Sequence, residues 1–350
     1  MVSIDDFRGD AGEAADFSIA CWRANYAGRS FYPTWDKAYM DWQLFDVPDP
    51  QAVCRLGAYS NGTLVGFFAA EKMAFNVAGQ RHIGTMSSWL SVAAGSAGRG
   101  VGAALRSAMW DWQQSRGVEF MVGFVNAGSL LGSGRKFWTQ QIPNATLRHR
   151  PRIWAHVFNP RNASAAEYSR LESWGVRALA HIQRSPGPAD DFNVRAYDSS
   201  DLTACQAIFE RLEQADFAYA WTSARLAHQL SFAETAQTYV LDRGEGAEAL
   251  FNFYVLELIG RAPVRCAVVD FIAAKARVDA FMPRFIRACL HRIGGLCVDA
   301  ALTLGPPVHR FGALLAFGFM PLPAAQELIY LPVADAACRL PTGRMHLHWR

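Results

Sequence analysis

Residues 92–102 read Val92-Ala93-Ala94-Gly95-Ser96-Ala97-Gly98-Arg99-Gly100-Val101-Gly102. Small residues throughout let successive backbone N–H groups converge on a ligand without interference from Cβ atoms. Immediately afterwards Val101, Leu105, Ala108, Met109 and Trp112 recur at helical spacing and form one apolar stripe. The stretch is therefore a junction that leads into a helix. A helix N-terminus carries about half a positive charge, so the place suits an anionic group, a phosphate above all. Arg99 sits at its mouth, available to pair with a phosphate oxygen. Glycines placed only for a tight strand–helix connection would spell the same way, and both readings stand at this point.

Two familiar phosphate loops do not fit. A Walker A loop needs Gly-Lys-Ser/Thr, which the chain lacks. Gly98-x-Gly100-x-Gly102 is not Gly-x-Gly-x-x-Gly, and no acid follows about 20 residues on at the end of a next strand. What precedes the loop also argues against a dinucleotide-binding unit. Val53–Tyr59 reads as a strand, Asn61-Gly62 as a tight hairpin turn, and Thr63 to Ala70 as the return strand. A second turn at Ala78-Gly79-Gln80 leads to a third strand from His82 to Val92. Downstream, Gly117 suits the cap of the helix. Val118–Val125 is then apolar at nearly every position, as in a strand covered on both faces. It ends at Asn126, and Ser129 is expected to open another helix.

Further out, Ser185-Pro186-Gly187-Pro188-Ala189-Asp190-Asp191 sustains neither ladder nor helix and reads as a linker. It divides the chain into a first domain at 1–185 and a second at 192–335, with 186–191 between them and a basic tail at 336–350. The second half repeats the grammar of the first. A strand at Phe192–Tyr197 precedes a helix from Ser200-Asp201 to Leu212. A hairpin follows, Thr238–Leu241 and Ala249–Leu258 around Gly244-Glu245-Gly246. Next come a strand at Val264–Ala273, a helix at Val278–Ile293, a strand at Cys297–Leu304, a helix at Pro307–Ala316 and a strand at Glu327–Leu331. This repetition implies duplication of one α/β fold. The junction matching the first glycine loop, Ala273-Ala274-Lys275-Ala276-Arg277-Val278-Asp279, lacks glycine, so the second copy is expected to be degenerate.

Composition bounds the class of protein. Of the 350 residues 51% are hydrophobic and 19% charged, enough for packed cores and too apolar for disorder. A formal charge of +3 is too even for a nucleic-acid coat, and no DNA partner is expected. No apolar run approaches the roughly 18 residues of a spanning helix, and no signal peptide is recognised at Met1-Val2-Ser3-Ile4. The seven cysteines are scattered without a C-x-x-C, as expected for reduced thiols in a cytoplasmic protein that holds no metal. The tail from Arg339 to Arg350, with His346 and His348, is expected to be loosely ordered.

Hairpin, long strand, glycine loop, helix, apolar strand and short helix together resemble the GNAT acyltransferase superfamily. There the loop is usually Gln/Arg-x-x-Gly-x-Gly/Ala, which aligns with Ala97-Gly98-Arg99-Gly100-Val101-Gly102. Val92 lies where the family often has Val-x-Pro, and Trp35, Tyr39, Trp42 and Gln43 look like an aromatic segment of some large two-domain members. The resemblance covers residues 30–145 well and the second half in element order. It implies an α/β (α+β) architecture of two GNAT-like domains, each a mixed, mostly antiparallel sheet flanked by helices. Two departures stand out: Ala97 replaces the first Arg or Gln, and the tyrosine acid frequent on the helix after the fifth strand is absent from Gly134-Arg135-Lys136-Phe137-Trp138.

The resemblance implies an N-acyltransferase that moves an acetyl or other short acyl group from acyl-CoA to a small-molecule amine in a ternary complex. Acetyl-CoA's pyrophosphate would lie on residues 97–102 (Ala97, Gly98, Arg99, Gly100, Val101, Gly102). Its pantetheine would pair along Leu90 and Val92, Asn126 would bond the pantetheine arm, and Ser129 would lie near the thiol. The strands would splay beyond Val92 and Asn126. An amine arrives protonated, so a base is needed. No carboxylate stands between Thr85 and Val92, which leaves Glu71 and His82 as candidates, each with a structural role as its alternative. Two other functions compete: a tandem-domain transferase using aminoacyl-tRNA, which the Arg148–Arg152 run favours, and a non-catalytic acyl-CoA-binding protein. Monomer and homodimer are both compatible with a doubled chain.

Overall fold

The computed structural model describes residues 2–127, 132–183, 193–244, 246–305, 311–334, 339–341 and 343–348. In chain order the first half holds β1 (Val2–Asp6), α1 (Ala11–Tyr26), β2 (Tyr32–Thr34), α2 (Lys37–Met40), β3 (Val53–Ser60), β4 (Thr63–Val77) and β5 (Gln80–Val92). It continues with α3 (Val101–Ser115), β6 (Phe120–Asn126), α4 (Gly132–Lys136), β7 (Thr146–Leu147), β8 (Arg152–Val157), α5 (Pro160–Ala165) and α6 (Arg170–Ile182). The second half holds β9 (Val194–Ala196), α7 (Leu202–Leu212), β10 (Phe217–Ala220), α8 (Ser223–Leu230), β11 (Ala236–Asp242), β12 (Ala247–Ile259) and β13 (Pro263–Ala274). After it come α9 (Met282–Gly294), β14 (Ala300–Leu304), α10 (Phe311–Ala316), β15 (Met320–Pro332) and β16 (Met345–His346). The expected linker at 186–191 and Ser129 lie outside the described residues.

Local chemistry accounts for most boundaries. Asn61 and Gly62 both take positive φ, 50° and 78°, which turns β3 into β4 as a two-residue hairpin requires. Asp10 and Glu13 form a reciprocal capping box that starts α1. The helix expected from Val278 begins at Met282, because Pro283 belongs in a first turn and not a helix interior, and Ala276–Phe281 winds as a tighter 3-10 turn. Among the described residues no helix is long and apolar enough to cross a membrane.

One mixed sheet runs through the molecule in the order β1-β3-β4-β5-β6-β15-β8-β14-β13-β12-β11-β9. The halves mirror each other across the β15–β8 pair. β5 runs parallel to β6 as β13 runs parallel to β14, and in each half a hairpin packs outside them. The two halves exchange their last strands: β8 of the first pairs with β14, and β15 of the second pairs with β6. The α3 stripe, with Val101, Leu105 and Met109, packs on Phe68, Ala70 and Met121. On the opposite face α1 and α2 join Trp35 and Trp42 to Phe67, Trp89, Tyr254 and Val268, a core built from both halves.

The basic tail is ordered where it is described, against expectation. β16 pairs in parallel with β10, which in turn pairs with the end of β4. Leu340, Met345 and Leu347 enter a core with Phe75, Phe217 and Tyr330, and His348 is buried. Apolar residues alternate with the histidines, so burial of Met345 and Leu347 holds the segment despite its charge.

A buried ion pair also ties the halves. The Glu71 carboxylate on β4 accepts from Arg225 Nε (2.8 Å) and Nη2 (3.3 Å) on α8. Removing one partner of such a pair strands a buried charge, which costs about 3–5 kcal/mol, whereas an apolar replacement of both costs much less. In urea unfolding, Arg225→Met is expected to lose about that amount, and the Glu71→Met/Arg225→Met double variant to recover most of it.

Candidate active site

The parallel pairing of β5 with β6 covers Gly84↔Phe120, Thr85↔Met121 and Met86↔Val122, and then stops. β5 continues to Val92 along β4, and β6 continues to Asn126 along β15. A wedge therefore opens between two adjacent strands, beginning at Ser87 and Gly123, earlier than the expected point beyond Val92 and Asn126. Its apex is tight. A Cβ on Gly123 would lie 2.7 Å from the Ser87 carbonyl oxygen, so glycine is what allows the backbones to touch there.

On the β4 side of the wedge the ladder skips a step. Phe67 pairs with Ser91 and Ala69 with Ser88, and Trp89 adopts φ +57°. This bulge turns Trp89 and Leu90 out of regular alternation, and both line the space between the strands. Asn126, on the other wall, is held by a 2.6 Å hydrogen bond to its side-chain oxygen from Gln326 Nε2 of β15.

Beyond Val92 the glycine-rich stretch forms a 3-10 turn at Ala94–Ser96 and then enters α3. Gly98 and Gly100 take φ of +76° and +80°, a region costly for residues with a Cβ, and a Cβ on either would meet nothing within 4 Å. Within the loop Arg99 N–H donates to Ser96, and Ala104 N–H is the first to reach back to a helical carbonyl, that of Gly100. The N–H groups of Val101, Gly102 and Ala103 thus belong to the open first turn of a 15-residue helix. The Arg99 side chain is exposed. A pyrophosphate is the kind of group such a turn accommodates. The equivalent junction in the second half is the 3-10 turn Ala276–Phe281.

A cavity of about 440 Å³ passes through the wedge. On the α3 face it meets Phe68, Met121, Trp138 and Ile329; on the opposite face it meets Trp35, Tyr39, Trp89 and Tyr254. From there it extends along β8, β13 and β14, under α5 and α6. Of the expected aromatic segment, Trp35 and Tyr39 line it, the Trp35 ring centroid 6.0 Å from that of Trp89, and Trp42 packs behind, its Nε1 donating to the His228 carbonyl at 3.0 Å.

The two candidate bases stand apart from this space. Both Glu71 oxygens face Arg225, and Glu71 does not line the cavity. His82 lies at the far end of β5, about 17 Å of strand before Ser87 at ~3.3 Å per residue. Its Nδ1 is 2.7 Å from Glu119 Oε2, and Glu119 also accepts from the Ile83 N–H. That carboxyl is held below its ordinary range by the His82 and Ile83 hydrogen bonds, which outweigh its desolvation. Leu90 and Asn126 do come together at the wedge, with the loop 97–102 at the end of the same strand.

Sequence reasoning missed Glu167, in the turn between α5 and α6. It is half-buried, lines the cavity, and forms no hydrogen bond or ion pair among the described residues. Burial, with nearby Glu172 adding to it, pushes its carboxyl up to about 7. Its only sequence signal is that it is the one acid in the small-residue run Ala163-Ser164-Ala165-Ala166-Glu167. Cys266 also lines the cavity, and burial raises its thiol far above the ordinary range. Among the described residues no three His, Cys, Asp or Glu side chains gather as a metal site.

Neither a known family profile nor a curated protein sequence matches this chain. Solved structures do. The Saccharomyces cerevisiae N-myristoyltransferase with bound myristoyl-CoA superposes with a TM-score of 0.74 at 14% identity, covering 95% of this chain and 79% of that one. A GCN5-related N-acetyltransferase from Kribbella flavida gives 0.53 at 15% identity over 96% and 73%. A probable N-acyltransferase of Enterococcus faecalis gives 0.56 at 9% identity over 95% and 72%. At such identities the likeness is one of fold alone, and the chain shares the fold of these structures.

The loop geometry separates its glycines. Gly98→Ala and Gly100→Ala are each expected to lower stability by about 1 kcal/mol, because each forces a Cβ into positive φ. Gly102, with an ordinary φ and Phe137 3.5 Å from a Cβ, is expected to tolerate alanine with no loss in chemical denaturation.

Proposed function

We propose that this protein is an acyl-CoA-dependent N-acyltransferase that passes an acetyl or other acyl group from the thioester directly to an amine. The observation that carries the reading is the wedge between β5 and β6, entered by a cavity from both faces of the sheet, with an open helix N-terminus at the end of β5. Two ligands can then meet within one sheet, each from its own side. The similar folds are named for the same chemistry: one holds myristoyl-CoA, and another is an N-acetyltransferase.

In this reading the CoA pyrophosphate lies on the loop at 98–103, held by the open first-turn amides of residues 101–103, and the Arg99 side chain adds a charged contact. With alanine at 97, recognition rests on backbone groups and the helix end. Pantetheine fills the wedge, where the strand edge from Ser87 to Val92 has lost its neighbour, and Asn126 faces it from β6. The amine nitrogen attacks the thioester carbon, the C–S bond breaks, and CoA leaves as a thiol once a proton reaches its sulfur. No acyl-enzyme is needed. Cys266 is the cysteine of the cavity lining, and its raised thiol is protonated near neutral pH, so it is a poor nucleophile.

Titration calorimetry with acetyl-CoA and longer acyl-CoAs tests this. Wild type is expected to bind, and Gly102→Glu, which adds a negative charge to the first turn of α3, to bind at least about tenfold more weakly with unchanged melting. Absence of binding by wild type to acetyl-CoA, longer acyl-CoAs and free CoA would overturn the proposal.

A further inference from the structure

The cavity extends past the wedge that pantetheine would fill. Its roughly 440 Å³ lies within the range of sites that enclose whole drug-sized ligands. Beyond the wedge its walls are apolar: Ile153 and Val157 of β8, Leu256 and Leu258 of β12, Val264 of β13 and Leu302 of β14. Two charged residues share the lining, Arg150 and Glu167. Arg150 is exposed, whereas Glu167 is half-buried without a partner among the described residues. An alkyl chain of the donor has no use for a carboxylate, and burying one beside such a chain is unfavourable. An ammonium group on an apolar body matches both features at once.

Building on the acyltransferase reading, we infer that the part of the cavity beyond the wedge is the acceptor site, and that it selects an amine carried on a bulky alkyl or arylalkyl body. The Glu167 carboxylate pairs there with the acceptor's ammonium group. An alkylammonium loses its proton near pH 10, so it reaches the site charged. A carboxyl raised to about 7 by burial is mostly charged at pH 8 and mostly neutral at pH 6, so the pairing strengthens as pH rises. Titratable and charged groups around it include Tyr26, Tyr39, Arg150, Tyr254 and Cys266 in the lining, Glu172 and Arg177 on α6, with Arg177 Nε donating to Ser164 Oγ at 3.0 Å, Arg261, whose backbone N–H donates to the Ala166 carbonyl at 2.8 Å, and the neighbouring Tyr168, whose hydroxyl donates to the Ser30 carbonyl at 3.2 Å.

The test is direct binding of octylamine, 1-octanol and spermidine to the free protein, followed by titration of acetyl-CoA and octanoyl-CoA with and without octylamine. Octylamine is expected to bind wild type at least tenfold more tightly than spermidine, and more tightly at pH 8 than at pH 6. Glu167→Gln is expected to lose at least tenfold in octylamine affinity together with its pH dependence, and to bind octanol as wild type does. Equal octylamine binding by wild type and variant, or none by wild type, would overturn the inference. So would octanoyl-CoA that binds well above acetyl-CoA and excludes octylamine, since the cavity would then belong to the donor chain. Octylamine binding that depends on Glu167 in a protein that binds no acyl-CoA would leave the amine site standing and remove the acyltransferase reading.

Discussion

β6 is bound more extensively to the second half of the chain than to its own neighbour, and the rest of the site depends on that. It shares three paired positions with β5 and seven with β15, from Asn126↔Gln326 to Phe120↔Pro332. A strand cannot follow two diverging partners, so past Met86 and Val122 it follows β15, while β5 stays with β4. Parting strands inside a sheet leaves main-chain donors and acceptors without their ladder, which is unfavourable unless water or a ligand satisfies them. A pantetheine arm, with amides of its own, is suited to such an edge. The exchange of last strands between the halves thus does more than join them, because it holds the wedge open.

The same exchange explains why the two halves need not both carry a loop. The first supplies the glycine-rich turn and the wedge. The second supplies, through β12, β13 and β14, the apolar wall across from Trp35 and Trp89. Contacts such as Tyr39 with Trp89 (6.2 Å) and with Tyr254 (5.2 Å) bring the halves face to face over the cavity. Glu71 and Arg225 fix them on the same side of β4. A carboxylate placed so deep in an inter-half ion pair is part of the scaffold.

Much of the fold was legible because its signals are local. Asn61-Gly62, the Val101–Trp112 stripe and the apolar run to Val125 each declare an element within a few residues. The glycine loop was legible for the same reason, since positive φ at Gly98 and Gly100 is a demand the backbone makes on the residue itself. What failed depends on partners far away in the chain. Nothing near Glu327–Leu331 says that β15 begins at Met320 and bridges β8 and β6. The tail looked loose because its charges are local, while the apolar surface that orders Met345 and Leu347 is supplied by Phe75 and Phe217. His82 and Glu71 stand out in the sequence because no carboxylate lies between Thr85 and Val92, and the partners that occupy them, Glu119 and Arg225, lie 37 and 154 residues away. Glu167 escaped notice because a carboxylate's environment is set by the walls around it, and those walls come from both halves.

The central claim is that the wedge and the α3 N-terminus together receive a CoA-type ligand. Hydrogen–deuterium exchange of the protein with and without CoA tests it at single segments. Slowed exchange is expected at residues 87–92 and 98–103 on adding CoA, with the corresponding 276–281 turn of the second half unchanged. Protection at 276–281 in place of 98–103, or none at either, would contradict it.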